Sequence, residues 1–212
     1  MEIDLHGVHL QLFPERAILI GRDLLIADLH LGKVNHFRKA GFPVPEEVGD
    51  ENFERLIGLV RSVEPERVLL LGDLFHSHYN SEWEAFRQVI SYFPATEFHL
   101  IQGNHDILSN YRYESSNLKL HSEMNLGPFH LTHIPCEPGE IPKDLYNLSG
   151  HIHPSVVLSG KGRQQMKLPC FYFGELQAYL PAFGNFTGHH RVRPKRSDRV
   201  YVIVGDRVIE KN

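Results

Sequence analysis

Five short blocks of the chain carry side chains suited to binding metal ions. They are Asp28-Leu29-His30, Gly72-Asp73, Gly103-Asn104-His105-Asp106, His133 and Gly150-His151-Ile152-His153. Each follows an apolar run that reads as a strand. Hard oxygen ligands and imidazoles repeated at strand ends build a metal centre along one edge of a sheet. The set is too large for one ion. It suits two divalent ions bridged by a carboxylate, a centre that cleaves phosphate esters.

A bridging ligand must give one oxygen to each ion, which points to Asp73. Asp28 and His30 are two residues apart, so an extended strand, or the turn after Ala27, would let both reach the first ion. His151 and His153 share that spacing. His153 would complete the first ion and His151 the second, with Asn104 and His133 also on the second. Neutral ligands keep such a site cationic and receptive to a phosphate anion. The expected reaction is attack of a metal-bridging hydroxide on phosphorus, with His105 as general acid and Asp106 orienting His105. A lone Asp-x-His or Gly-Asp pair is common in ordinary turns. Five such blocks, each after a strand, are not.

The elements that must hold these blocks are legible around them. Val8 to Leu12 alternates with period two, and Ala17 to Ile20 and Leu24 to Ala27 follow across short turns. Pro45 can open a helix in which Phe53, Leu56, Ile57, Val60 and Val63 recur at helical spacing. Val68 to Leu71 is a buried strand. Ser81 and Glu84 make a capping box for a second helix striped by Trp83, Phe86, Val89, Ile90 and Phe93. Phe98 to Ile101 is a third strand. This alternation predicts a largely parallel half with its site at the carboxyl ends of the strands. Short β runs at 118–124, 128–132, 145–148, 155–159, 170–174 and 200–209 predict a second, mixed sheet stacked on the first.

The chain has 212 residues and a formal charge of -4, so any nucleic-acid contact must use a local basic patch. Its 15 histidines are an excess that fits a metalloprotein. Cys136 and Cys170 form no CxxC pair, and a reducing compartment is expected. No signal peptide or membrane-spanning run is apparent, which gives the expectation of a cytoplasmic protein without a membrane partner. No repeat or linker interrupts the chain, so residues 1–212 read as one domain.

The ordered blocks resemble the calcineurin-like metallophosphoesterase superfamily, whose pattern is DxH, GD, GN[HE], H and GHxH. That resemblance implies an α/β fold, a four-layer α/β/β/α sandwich of two mixed sheets flanked by helices. It also implies a dinuclear centre, usually manganese, with iron or zinc as alternatives, and the ligand roles given above. Protein serine/threonine phosphatases carry an Arg pair after the second-block Asp. Here the run is Gly72-Asp73-Leu74-Phe75-His76-Ser77, which disfavours that branch. The same run is similar to double-strand-break repair nucleases, but the chain is too short for their capping domain. Lipid-precursor pyrophosphohydrolases insert an apolar helical cap where residues 107–132 are polar and short. The stretches from Asp28 to Pro45 and from Leu180 to Gly188 resemble the bacterial DNA ligase-associated phosphoesterases. His189 stands where those proteins usually have a second glycine. That resemblance implies manganese-dependent phosphodiester cleavage, with DNA as substrate and a repair ligase and helicase as partners.

Lys33, His36, Arg38 and Lys39 follow two metal ligands closely enough to hold a phosphodiester backbone, and His76 follows the bridging Asp73. Arg191, Arg193, Lys195, Arg196 and Arg199 form the densest basic run. Three functions remain open from the residues. The first is a DNA-directed phosphodiesterase or endonuclease of the damage response. The second is a hydrolase of nucleotides or pyrophosphates. The third is a repair-complex scaffold with weak hydrolysis.

Overall fold

The computed structural model describes residues 1–31, 51–75, 81–106, 113, 116–160, 164–184 and 188–211. The first sheet has seven strands in chain order: β1 (Glu2–Leu5), β2 (Val8–Phe13), β3 (Ala17–Ile20), β4 (Asp23–Ala27), β5 (Arg67–Leu71), β6 (Glu97–Ile101) and β7 (Leu118–His121). Strands β1 to β4 form an antiparallel meander, and β4 to β7 are parallel. The helices α1 (Glu51–Val63) and α2 (Ser81–Tyr92) supply the crossovers between β4, β5 and β6. Parallel pairing needs such crossovers, because a tight turn cannot reverse direction twice.

The second sheet holds β8 (Met124–Leu126), β9 (Phe129–Thr132), β10 (Tyr146–Ser149), β11 (Pro154–Ser159), β12 (Gln165–Phe173), β13 (Gln177–Tyr179), β14 (His190–Arg191), β15 (Arg199–Val204) and β16 (Arg207–Glu210). It too is mixed: β9, β10 and β13 run parallel, while β12 pairs antiparallel with β11, β13 and β15.

Period-two alternation sorts the first sheet's side chains into two cores. Leu24, Ile26, Val68, Leu70, Phe98 and Leu100 face the helices and meet Phe53, Leu56, Val60, Trp83 and Phe86. Leu25, Ala27, Leu69, Leu71 and Ile101 face the other way, onto Phe129, Leu131, Leu148, Phe171 and Tyr201 of the second sheet. The result is the expected α/β sandwich of two mixed sheets. Both helices among the described residues lie on the first sheet. The outer face of the second carries a small cluster of Val156, Cys170, Val200 and Val202. No helix among the described residues is long and apolar enough to cross a membrane.

Several expectations need correction. The run 118–124 is two strands, and β7 pairs with β6 to extend the first sheet instead of opening the second. The run 200–209 is a hairpin, β15 and β16. Strands β1, β13 and β14 are additional. Strand β1 holds only four residues, and β13 and β14 are shorter still, too short to show periodicity. Glu84 is paired with Arg87 at 2.9 Å. Pro45 and the side chain of Ser81 lie outside the described residues.

Registry brings the site together. Ala27 is level with Leu71, and Leu71 with Ile101, so β4, β5 and β6 end at the same height. Thr132 is level with Ser149, so β9 and β10 end together as well. A bidentate pair, Arg67 Nε and Nη2 to the Asp23 carboxylate at 2.6 Å each, holds the β4–β5 register at the opposite end.

At the β6–β7 edge, His99 Nδ1 lies 2.9 Å from His121 Nε2, and the rings stack. Burial lowers the pKa of both. The unfolded chain therefore binds more protons than the folded one below about pH 6.5, and stability falls as pH drops through that value. Urea unfolding of the metal-free protein at pH 7.5 and 5.5 should show this loss, and His99→Asn should reduce it.

Candidate metal centre

Three of the five blocks leave their strands through the left-handed backbone region. Asp28, His30, Asp73, His151 and His153 all have positive φ, between 43° and 64°. Bulky non-glycine residues rarely adopt this conformation, and each such residue costs on the order of 1–3 kcal/mol. Of the two geometries open to Asp28 and His30, the turn is the one observed. The loops are zipped to one another by main-chain bonds: Asp28 N–H donates to Gly72 O at 3.2 Å, His30 N–H to Asp73 O at 3.0 Å, and Gly150 N–H to His133 O at 3.1 Å.

The glycines of the blocks are explained by crowding. A β-carbon on Gly72 would lie 2.3 Å from His133 Nδ1, and Gly72 also has φ +75. A β-carbon on Gly103 would lie 2.5 Å from Asp73 Oδ1, and one on Gly150 would lie 2.7 Å from Asp28 Oδ2. At Gly72 and Gly150 the two sheets, and at Gly103 two neighbouring loops of the first sheet, approach so closely that only hydrogen fits.

Two groups of ligand atoms result: Asp28, His30 and His153, and Asp73, His133 and His151, with the atoms of each within 4.8 Å of one another. These are the two sets expected from sequence. His133 Nδ1 lies 2.9 Å from Leu71 O, so that nitrogen carries the proton and Nε2 presents a bare lone pair. That lone pair faces Asn104 Oδ1 at 3.0 Å, His151 Nδ1 at 3.2 Å and Asp73 Oδ1 at 3.3 Å. His153 Nδ1 is likewise committed to Gly188 O at 2.9 Å, turning Nε2 toward Asp28 Oδ1 at 3.2 Å. Imidazole nitrogens, an amide oxygen and carboxylate oxygens converging at these distances make a donor set that a cation can occupy. The field has the matching sign: burial disfavours protonated His153, yet the Asp28 carboxylate outweighs it and raises the pKa. Mixed carboxylate, amide and imidazole donors fit divalent metal ions. Asp73 reaches both groups, since its Oδ2 lies 3.8 Å from His30 Nε2.

His105 is exposed and next to the first group, its ring 6.0 Å from that of His30. Its main-chain N–H donates to Asp73 Oδ1 at 3.0 Å. The carboxylate of Asp106 accepts main-chain N–H groups from Asp73 at 2.9 Å, Leu74 at 2.8 Å and Gly103 at 2.8 Å. It ties two metal-binding loops together. Burial pushes its pKa up to about 6, against the stabilising Gly103 and Leu74 amides. Lys33, His36, Arg38, Lys39 and His76 lie outside the described residues, as do 185–187 of the Leu180–Gly188 stretch.

Sequence reasoning missed Arg16. Its Nη1 donates to Ala182 O at 3.1 Å, Phe183 O at 3.3 Å and Gly184 O at 2.9 Å. The other edge of that segment bonds the first metal loop, Phe183 N–H to Ala27 O at 2.8 Å and Gly184 N–H to Asp28 O at 3.0 Å. Arg55 donates to Phe183 O and lies 4.2 Å over the Phe183 ring. Two guanidinium groups thus strap residues 182–184 against Asp28. A lone Arg in a β-turn carries no sequence signal for this.

Residues 22–162 match the calcineurin-like phosphoesterase family. The chain belongs to that family. This phosphoesterase is also similar in structure to the Pseudomonas putida nuclease MPE, at 28% identity and a TM-score of 0.80, over 100% of this chain and 99% of that one. A conserved uncharacterized protein of Streptococcus pneumoniae, a predicted phosphoesterase, aligns over 86% of this chain and 82% of its own at 12% identity and a TM-score of 0.31, too low to argue from. No curated protein matches. Family and geometry together make this a metal-dependent phosphoesterase with a dinuclear divalent site.

Gly72→Ala should drive a methyl into the His133 ring and expel the second ion, seen as a fall in metal per chain by elemental analysis. Gly58→Ala, with nothing within 4 Å of the new β-carbon, should leave metal content unchanged.

Proposed function

We propose that this phosphoesterase cleaves phosphodiester bonds in DNA as an endonuclease of the damage response. The observation that carries this reading is that, among the described residues, one face of the metal centre is exposed: Asn104, His105 and His151 are exposed while Asp28, Asp73 and His133 are buried. A site built this way admits a long polymer. The full-length similarity to a nuclease supports the same choice. The chain acts as one domain, in the cytoplasm, and a DNA ligase and helicase are its proposed partners.

Asp28, His30 and His153 would hold one ion, Asn104, His133 and His151 the other, and Asp73 would bridge them. Manganese is the proposed metal. When bound, such a pair supplies Lewis acidity that neutralises phosphoryl charge and lowers the pKa of water. The protein's own part is positioning and proton transfer. Asp73 fixes the His105 backbone, and Asp106 fixes Asp73 and Gly103, so the His105 imidazole stands beside the scissile phosphate. It delivers a proton to the leaving oxygen. Asp106 is a positioning residue in this scheme. Lys33, His36, Arg38 and His76 are proposed to hold the substrate's phosphates.

His105→Ala should keep both metals and lose about 10²–10⁴-fold in DNA cleavage. The loss on bis(p-nitrophenyl) phosphate should be much smaller, because nitrophenolate leaves without a proton. Equal losses on the two substrates would remove His105 from the general-acid role.

A further inference from the structure

Strands β11, β12 and β14 form a flap on the second sheet. None of the described residues of β11, β14 or the 165–169 half of β12 enters the core between the sheets. Val156, Leu168 and Val192 pack instead on the outer cluster. Register fixes what the opposite face carries. Val157 is level with Lys167, and Ser155 with Arg191. Ser155 and Val157 are two apart, so Lys167 and Arg191 share one face. Phe171, four residues beyond Lys167 on β12, lies on that same face and enters the inter-sheet core. The cationic face therefore looks toward the first sheet and its metal-binding loops.

The flap is joined directly to the metal centre. Strand β11 begins at the residue after His153, and His190 N–H donates to His153 O at 3.0 Å. Arg191, Arg193, Lys195 and Arg196 then leave the site in sequence, all exposed and with no ion-pair partner among the described residues. Val192 is anchored between Arg191 and Arg193 by its packing and by its N–H to Ser155 O at 3.0 Å. Asp198, the acid nearest this run, is occupied by Tyr172 Oη at 2.7 Å and by the Lys195 N–H at 2.6 Å. Arg191 and Arg193, two apart where the chain runs on from β14, are separated by about 6.6 Å if extended, close to the spacing of successive phosphates along an extended single strand, and Lys195 and Arg196 follow in a turn closed by the Asp198 N–H to Lys195 O at 3.1 Å.

We propose that this flap is the DNA-binding surface of the enzyme, with Arg191, Arg193, Lys195 and Arg196 tracking the phosphates of a single strand that enters the metal centre past His153. The proposal rests on the nuclease reading above. On a chain of net charge -4, this local run supplies the attraction that the whole molecule does not.

The test is binding of a fluorescent single-stranded DNA oligomer to the full chain in EDTA, across a salt series. Unsubstituted protein should bind with an affinity that falls steeply with salt. Neutralising Arg191, Arg193, Lys195 and Arg196 to Gln should reduce the magnitude of the log–log slope by about three, with thermal unfolding unchanged. Neutralising Arg61, Arg87, Arg207 and Lys211, an equal charge removed elsewhere, should leave most of the slope in place. Equal slopes and affinities for the flap variant and the unsubstituted protein would overturn the flap as the surface while leaving the nuclease reading intact. Absence of salt-dependent binding by the unsubstituted protein would overturn the nucleic-acid reading itself. A fall as large in the remote variant would reduce the effect to net charge and overturn the proposal.

Discussion

Everything at the site depends on where the Asp73 carboxylate stands. One oxygen is 3.3 Å from His133 Nε2 and the other 3.8 Å from His30 Nε2, so it reaches both ligand groups. Each group draws on both sheets: Asp28 and His30 meet His153, and Asp73 meets His133 and His151. Cations bound here tie the two sheets together across their shared edge. Their binding is then linked to folding, because an unfolded chain offers no such arrangement. The glycines at 72 and 150 follow from the same constraint, since a side chain there would hold the sheets apart, and one at Gly103 would displace Asp73 itself.

Strain and support are balanced locally. Five ligands adopt the left-handed conformation, which the chain would abandon without compensation. The compensation is visible in the loops: Asp106 gathers three amides, the Asp28 carboxylate accepts the His151 N–H at 2.9 Å, and Arg16 holds the 182–184 strap on the opposite side. Each loop is fixed by another loop's ligand or its neighbour. Asp28 and Asp73 thus accept backbone N–H groups while standing in the two groups that could hold metal ions.

The ligands were legible in sequence because chemistry and position coincide there. Asp28, Asp73 and Asn104 each follow a strand with a long apolar run, His133 and His151 follow short strands that alternate apolar and polar residues, and parallel strands put such positions at one edge. The partition into two groups was legible too, from the need for one bridging carboxylate and the matched spacing of Asp28 with His30 and His151 with His153. Other features leave no local trace. The membership of β7 in the first sheet depends on pairing with β6, a non-local fact. Strands β13 and β14 are too short to alternate. The bonds of Asp106 to the main chain of residues 73 and 74, far off in sequence, leave no local trace, although its bond to Gly103 lies close by. Arg16 acts on carbonyls more than 160 residues away, as its separations of 166 to 168 show.

Charge distribution links site and surface. With two divalent ions bound, two carboxylates among otherwise neutral imidazole and amide donors would leave the centre net positive. That draws any phosphate, large or small. The protein as a whole is acidic and repels polyanions at long range. If the substrate is a polymer, as proposed, its selection over a free phosphate would have to come from cations placed beside the centre instead of spread over the surface. The basic run after His190 is so placed by pairing of β14 with β11, the strand that begins immediately after a ligand. The same backbone bond that positions His153 therefore also fixes where an approaching strand would be gripped. On the proposed reading, one piece of sheet would set both the grip on a polymer and the position of His153.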